Sequence, residues 1–130
     1  MLKKTIEYVD YDGEQREEDF YFNLRQDEIL EINFNANLKL SEQIEGIVKA
    51  KDMKEVYALF KKIILMAYGE KSEDGKHFRK SARISEDFES SPAFEALIME
   101  LVRDEAKAAD FIKQILPKNL DLPVQEVPVQ

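Results

Sequence analysis

Cysteine is absent, which excludes disulfides, thiolate zinc sites and cysteine nucleophiles together. That absence also suits a reducing compartment. Glycine and proline are scarce at four each, and three of the prolines fall within residues 117–130. The body of the chain therefore holds few helix breakers and no glycine-rich phosphate loop. Long apolar runs are missing too. No uncharged stretch of the body is longer than Ile63 to Gly69, far short of the ~20 residues of a membrane span. The first residues, Met1 to Glu7, reach an acid before any apolar stretch, so no signal peptide is expected. Positive charge is outnumbered: 19 basic against 27 acidic residues leave a net charge of −8. That argues against a surface built for duplex phosphates.

What is present fits one foldable domain. The chain has 130 residues, 44% hydrophobic and 35% charged, enough to bury a core without covalent staples. Charge is zoned. Residues 14–31 carry seven acids and two bases, residues 39–83 seven acids and eleven bases, residues 86–110 eight acids and two bases. This acid–base–acid order suits solvated helix faces, or self-association through complementary surfaces.

The N-terminal segment alternates, with Leu2, Ile6 and Tyr8 on one parity. Phe20, Phe22 and Leu24 do the same after Asp12-Gly13. Two such runs about an Asp-Gly turn predict a β-hairpin. A two-residue turn sets Ile6 opposite Asp19, apolar against acid. A three-residue loop, Tyr11-Asp12-Gly13 with Gly13 left-handed, sets Leu2 opposite Phe22 and Lys4 opposite Phe20. It gathers Leu2, Ile6, Phe20 and Phe22 on one face. The bulged three-residue loop is the expected register, with Glu7, Glu17, Asp19 and Tyr21 facing water.

Helices follow. Asn23 is a candidate cap for a short helix with Leu24, Ile29, Ile32 and Phe34 as its apolar positions, and Asn35-Ala36-Asn37 reads as a break. Ser41 opens a second helix with Ile44, Ile47 and Val48 apolar. Asp52 caps the strongest element, Met53 to Tyr68, and Gly69 is its expected stop. Met53, Val56, Tyr57, Phe60, Ile63, Ile64 and Ala67 form one stripe. Leu59 and Met66 sit to one side of it and Leu65 on the far side, which implies a central helix or a second contact face. Gly69 to Arg83 reads as a polar basic loop turning at Ser72-Glu73-Asp74-Gly75. Ser85 is a candidate cap for a short turn through Phe88. Ser91-Pro92 starts a helix striped by Phe94, Leu97, Ile98 and Leu101. Asp104 starts another, striped by Ala108, Phe111, Ile112 and Ile115 and ended by Pro117.

The expected architecture is α+β and mostly helical, an N-terminal β-hairpin on a bundle of about five helices. One domain spans residues 1–117, hairpin over 2–24 and helices over 25–116. Residues 118–130 read as a flexible tail.

Catalysis has no positive signal. His77, the single histidine, sits in the polar loop with no HExxH or EF-hand spacing near it, so no metal or cofactor is expected. Glu17-Glu18-Asp19 lies on a strand, where neighbours point to opposite faces and cannot pair for acid–base work. The basic loop interleaves Lys71, Lys76, Arg79, Lys80 and Arg83 with Phe78, a pattern that suits single-stranded nucleic acid. Glu70, Glu73 and Asp74 in the same stretch oppose that reading, and a loop that orders on a protein partner, or simply a solvated loop, fits better. Leu59, Leu65 and Met66 suit an adaptable groove for a partner segment; burial in a multi-helix core explains them equally.

Three stretches carry a resemblance. They are Glu18-Asp19-Phe20-Tyr21-Phe22-Asn23-Leu24, then Leu59 to Lys76 with its Tyr68-Gly69-Glu70-Lys71-Ser72-Glu73-Asp74-Gly75-Lys76 ending, and Phe94 to Pro117. On these the chain resembles the tail assembly chaperones of long-tailed phages and prophages of Gram-positive bacteria. The resemblance implies a non-enzymatic assembly factor of the host bacterial cytoplasm, absent from the mature virion. Its implied partners are the tape-measure protein and the tail-tube protein; self-association is expected because one 130-residue domain covers little of a long helical chain, and charge and hydropathy give neither nucleic acid nor membrane. Such families often add a longer frameshifted form, which would extend from the region after Pro117. The resemblance supplies no residue-level binding motif; Leu59, Leu65, Met66 and Phe78 are candidates on physical grounds alone. Alternative readings are a head–tail connector or tail terminator of the virion, and a small acidic inhibitor or immunity-type protein.

Overall fold

The computed structural model describes residues 1–34, 39–50 and 52–117. Within them the chain runs β1 (Leu2–Val9), β2 (Gln15–Phe22), α1 (Gln26–Phe34), α2 (Leu40–Ala50), α3 (Met53–Ala67), β3 (Tyr68–Lys71), β4 (Phe78–Arg79), α4 (Ala82–Glu89), α5 (Pro92–Arg103) and α6 (Glu105–Ile115). The four strands form one antiparallel sheet in chain order. The fold is thus α+β and mostly helical, as the patterning predicts.

The hairpin has the bulged register. Leu2 pairs with Phe22 and Lys4 with Phe20. Gly13 is left-handed at φ 84°. The loop closes through Gly13 N–H to Asp10 O (3.0 Å) and Asp10 N–H to Glu14 O (2.9 Å). Asp10 also accepts from the Asp12 and Glu14 amides at 2.9 Å each. Ile6 and Phe22 are buried, Leu2 and Phe20 partly so, and Glu7, Glu17 and Asp19 are exposed. Register and burial agree because a one-residue slip would turn the phenylalanines outward.

α5 and α6 cover the hairpin. Phe94, Leu97, Ile98 and Leu101 of α5 and Ala108, Phe111, Ile112 and Ile115 of α6 are all buried. They meet Ile63, Ile64 and Ala67 of α3 and Phe88 of α4 in one core. The Phe22 ring lies at its centre, edge-on to Phe111 at 5.2 Å and to Phe88 at 5.8 Å.

Caps explain most helix starts. Asp52 accepts from Lys54 and Glu55 amides, Ser91 from Phe94 N–H and Asp104 from Ala106 and Lys107 amides. Pro92 occupies the first turn of α5, where it removes no needed donor.

Several local expectations are corrected. Asn23 does not cap α1; its amide donates to Ala67 O (2.8 Å), and the next amide, Leu24, donates to Ile115 O (3.0 Å). The helix starts after Arg25, whose amide is taken by the Glu28 carboxylate at 2.9 Å. α2 begins at Leu40 rather than after Ser41, with Glu42 accepting the Lys39 amide at 3.1 Å. Both are the acidic half of a capping box, which works without a short polar cap residue. α4 is capped by Ser81, which accepts from Ile84 N–H at 3.1 Å, and Ser85 instead donates to Leu65 O.

Gly69 is not a left-handed stop. α3 passes at Tyr68 directly into β3, and Gly69 is buried where an added Cβ would lie 2.8 Å from both Arg79 O and the Phe78 ring. Residues 69–83 are therefore no simple loop, since β3 and β4 pair within them. Ser72 N–H donates to His77 O (2.9 Å), and Gly75 turns the chain at φ 76°. The expected break at 35–37 and the tail at 118–130 lie outside the described residues. So do the side chains of Ile47 and Val48, whereas Ile44 packs on the core.

Candidate partner-binding site

The four candidate residues do not converge on one spot. Leu59, Leu65 and Met66 are all half-buried and pack on the core. Leu59 and Met66, two turns apart, share one side of α3, while Leu65 lies about 100° round from Met66. The Leu65 side faces α4, where its carbonyl accepts from Ser85 Oγ at 3.2 Å. Phe78 sits on β4 against Gly69, with Lys80 Nζ 5.7 Å from its ring centroid.

Met66 lines a groove. An open groove of about 470 Å³ runs between α1, α2 and α3. Ile32 and Met66 give it apolar surface over the buried Leu24; Glu28, Glu31, Gln43 and Lys62 supply the polar groups. Sequence reasoning missed Leu24 and Ile32 as groove residues. Their pattern shows an apolar helix face, and only the placement of α2 decides whether that face is covered.

One wall is held by electrostatics. Lys80 Nζ donates to Glu28 at 2.8 and 3.0 Å and to Asn23 O at 2.7 Å. A basic residue after the second hairpin thus fixes an acid of α1 at the groove. Lys61 similarly pairs with Glu89 of α4 at 2.9 Å. The basic middle zone of the chain is therefore joined to both acidic zones inside one molecule.

Large apolar side chains are exposed near these elements. Phe34 at the end of α1 is 62% exposed and Met53 at the start of α3 is 64% exposed, with Tyr57 also open. The stripe of α3 is thus buried only in its second half, at Ile63, Ile64 and Ala67.

Surface hydrogen bonds displace several titrations. Tyr8 is pushed up to about 12, first by its hydrogen bond to the Glu18 carboxylate. Asp10 is held low chiefly by Arg16, and Asp74 by the Ser72 hydroxyl and the Lys76 amide. Tyr68 is raised mainly by burial. His77 is exposed and serves the turn, its amide donating to Ser72 Oγ at 3.0 Å. Among the described residues no three His, Asp or Glu side chains gather as a metal site, and no helix is long and apolar enough to cross a membrane.

The fold thus offers an open, mixed-polarity groove and exposed apolar side chains. The model of one family, described as phage tail assembly chaperone, matches residues 1–127. This chain belongs to the phage tail assembly chaperone family. No curated protein and no solved structure matches it. As a tail assembly chaperone it acts during the building of the phage tail.

Proposed function

We propose that this chaperone binds apolar helical segments of the tape-measure protein in the groove between α1, α2 and α3. It acts without catalysis, in the host cytoplasm, and leaves before the virion is complete. The observation that carries this reading is the groove itself. Its apolar surface from Ile32 and Met66 is flanked by acids and a lysine, which matches an amphipathic helix presenting apolar anchors within a polar surround. Covering such segments draws the tape-measure protein away from self-association by mass action. Held in that soluble form, it serves as the scaffold on which tail-tube subunits polymerise. Leu59, on the same side of α3 as Met66, extends the contact; Phe78 and Leu65 belong to neighbouring surfaces that a longer segment reaches.

Co-expression with the tape-measure protein tests this. Met66→Lys and Ile32→Lys should each lower the co-purified tape-measure protein at least tenfold, with unchanged far-UV circular dichroism. Leu65→Asp is a poorer probe, because Leu65 packs on the core beside α4. Undiminished co-purification of the folded Met66 and Ile32 variants would place the contact elsewhere.

A further inference from the structure

The end of α6 lies against the groove between α1, α2 and α3. Ile115 O accepts from the Leu24 amide at 3.0 Å, and Leu24 is the buried floor beneath Ile32 and Met66. Pro117 stands two residues further on, and residues 118–130 continue from it. An extended chain advances about 3.3 Å per residue. Leu120, Leu122 and Val124 therefore lie within about 10, 17 and 23 Å of Pro117.

The chemistry of that segment suits the groove. Leu120, Leu122 and Val124 alternate with Asp121 and Pro123. Proline biases the residue before it toward an extended conformation, and in an extended chain alternate residues share a face. One face of 120–124 is then wholly apolar, as the groove floor is. The charges match as well. Glu28 of the groove is already held by Lys80 at 2.8 Å. Lys62 is exposed and forms no ion pair among the described residues. A flexible four-carbon stem lets it meet an acid carried by whatever the groove holds.

We propose that residues 120–124 seat in the groove of their own chain when no partner is bound. Leu120, Leu122 and Val124 cover Ile32 and Met66, and Asp121 pairs with Lys62. The connection to α6 is what selects this occupant. A short tether supplies a millimolar effective concentration, so a contact of only about 1 mM affinity fills the groove about half the time. An equilibrium so close to unity leaves the thermal midpoint almost unmoved. An outside segment must displace 120–124 before it binds. That competition rests on the groove being the partner site proposed above; the seating does not.

Disulfide trapping on the full chain reads the seating, because the chain has no cysteine of its own. In a glutathione buffer, Gln43→Cys with Gln125→Cys should close at least fivefold faster than Lys113→Cys with Gln125→Cys. A segment without a seat would favour the second pair, since Lys113 is exposed and one turn from Pro117. Lys62→Glu should slow the first closure at least threefold, and adding Asp121→Lys should restore it. Equal closure rates for the two pairs, an unslowed Lys62→Glu variant, or no recovery on adding Asp121→Lys would each overturn the seating.

The trapped form tests the competition. With its disulfide closed, the Gln43→Cys, Gln125→Cys chain should retain at least tenfold less tape-measure protein than the same chain reduced. Equal retention would overturn the competition. The closure rates are read without any partner, so they stand or fall apart from the co-purification of the Met66→Lys and Ile32→Lys variants, which reports on the partner site alone.

Discussion

Tyr68 lies flat on Phe88, with ring centroids 4.1 Å apart and planes inclined by 15°. The contact joins the residue where α3 becomes β3 to the last turn of α4. Phe20, Phe22 and Phe94 surround Phe88 at 5.4–5.8 Å. Truncating Phe88 removes the shared neighbour of the sheet, α3 and α5. Phe88→Ala should lower unfolding stability by about 3–5 kcal/mol, read from urea denaturation with the slope unchanged.

The same stack predicts alkaline sensitivity. Burial raises the Tyr68 phenol above its ordinary value of 10.0, because the charged form is disfavoured away from water. A group raised on folding contributes stability that is complete below its unfolded pKa and lost as pH rises through the folded one. Thermal midpoints should therefore fall progressively above pH 10, and Tyr68→Phe should flatten that fall while leaving the midpoint at pH 7 within a few degrees.

At Gly69 the constraint is close approach. An added methyl meets the Arg79 carbonyl and the Phe78 ring, both at 2.8 Å. Gly69→Ala should cost about 1–3 kcal/mol as an overpacked site and raise amide exchange in β3 and β4. Substituting the exposed Gly46, where nothing lies within 4 Å of an added Cβ, should instead stabilise α2 by about 1 kcal/mol.

The domain boundary read after Pro117 carries its own test. A chain of residues 1–117 should keep the far-UV spectrum and the thermal midpoint of the full protein. A midpoint lower by more than about 4 °C, which corresponds to roughly 1 kcal/mol for a domain of this size, would assign the last thirteen residues a part in the fold.

Much of the fold was legible because its signals are local. The Asp12-Gly13 turn and two phased apolar runs specify the hairpin register, and Asp52, Ser91-Pro92 and Asp104 announce three helices through their own amides. Gly69 misled because glycine after a helix has two uses, a left-handed stop and a close approach, and the second depends on Phe78 nine residues away. Asn23 misled because a cap-like residue was recruited by Ala67 O, a long-range partner no window contains. The groove was legible only at Met66. Leu24 and Ile32 become its lining through the distance at which α2 and α3 stand, which periodicity along one helix does not encode. Conversely, Leu59 and Leu65 look surplus on α3 only until α4 and the neighbouring helices take up part of their surface.

The hairpin that begins the chain rests on the two helices that end its described part, and the Leu24 amide donates to Ile115 O. Head and foot must therefore meet before either is stable. Closing so large a loop precedes the reward of burial, so the search should be slower than for a helical bundle of equal length. A nascent chain lacking α6 would hold Phe22 without its Phe111 cover, and productive folding should wait until nearly the whole polypeptide has been made.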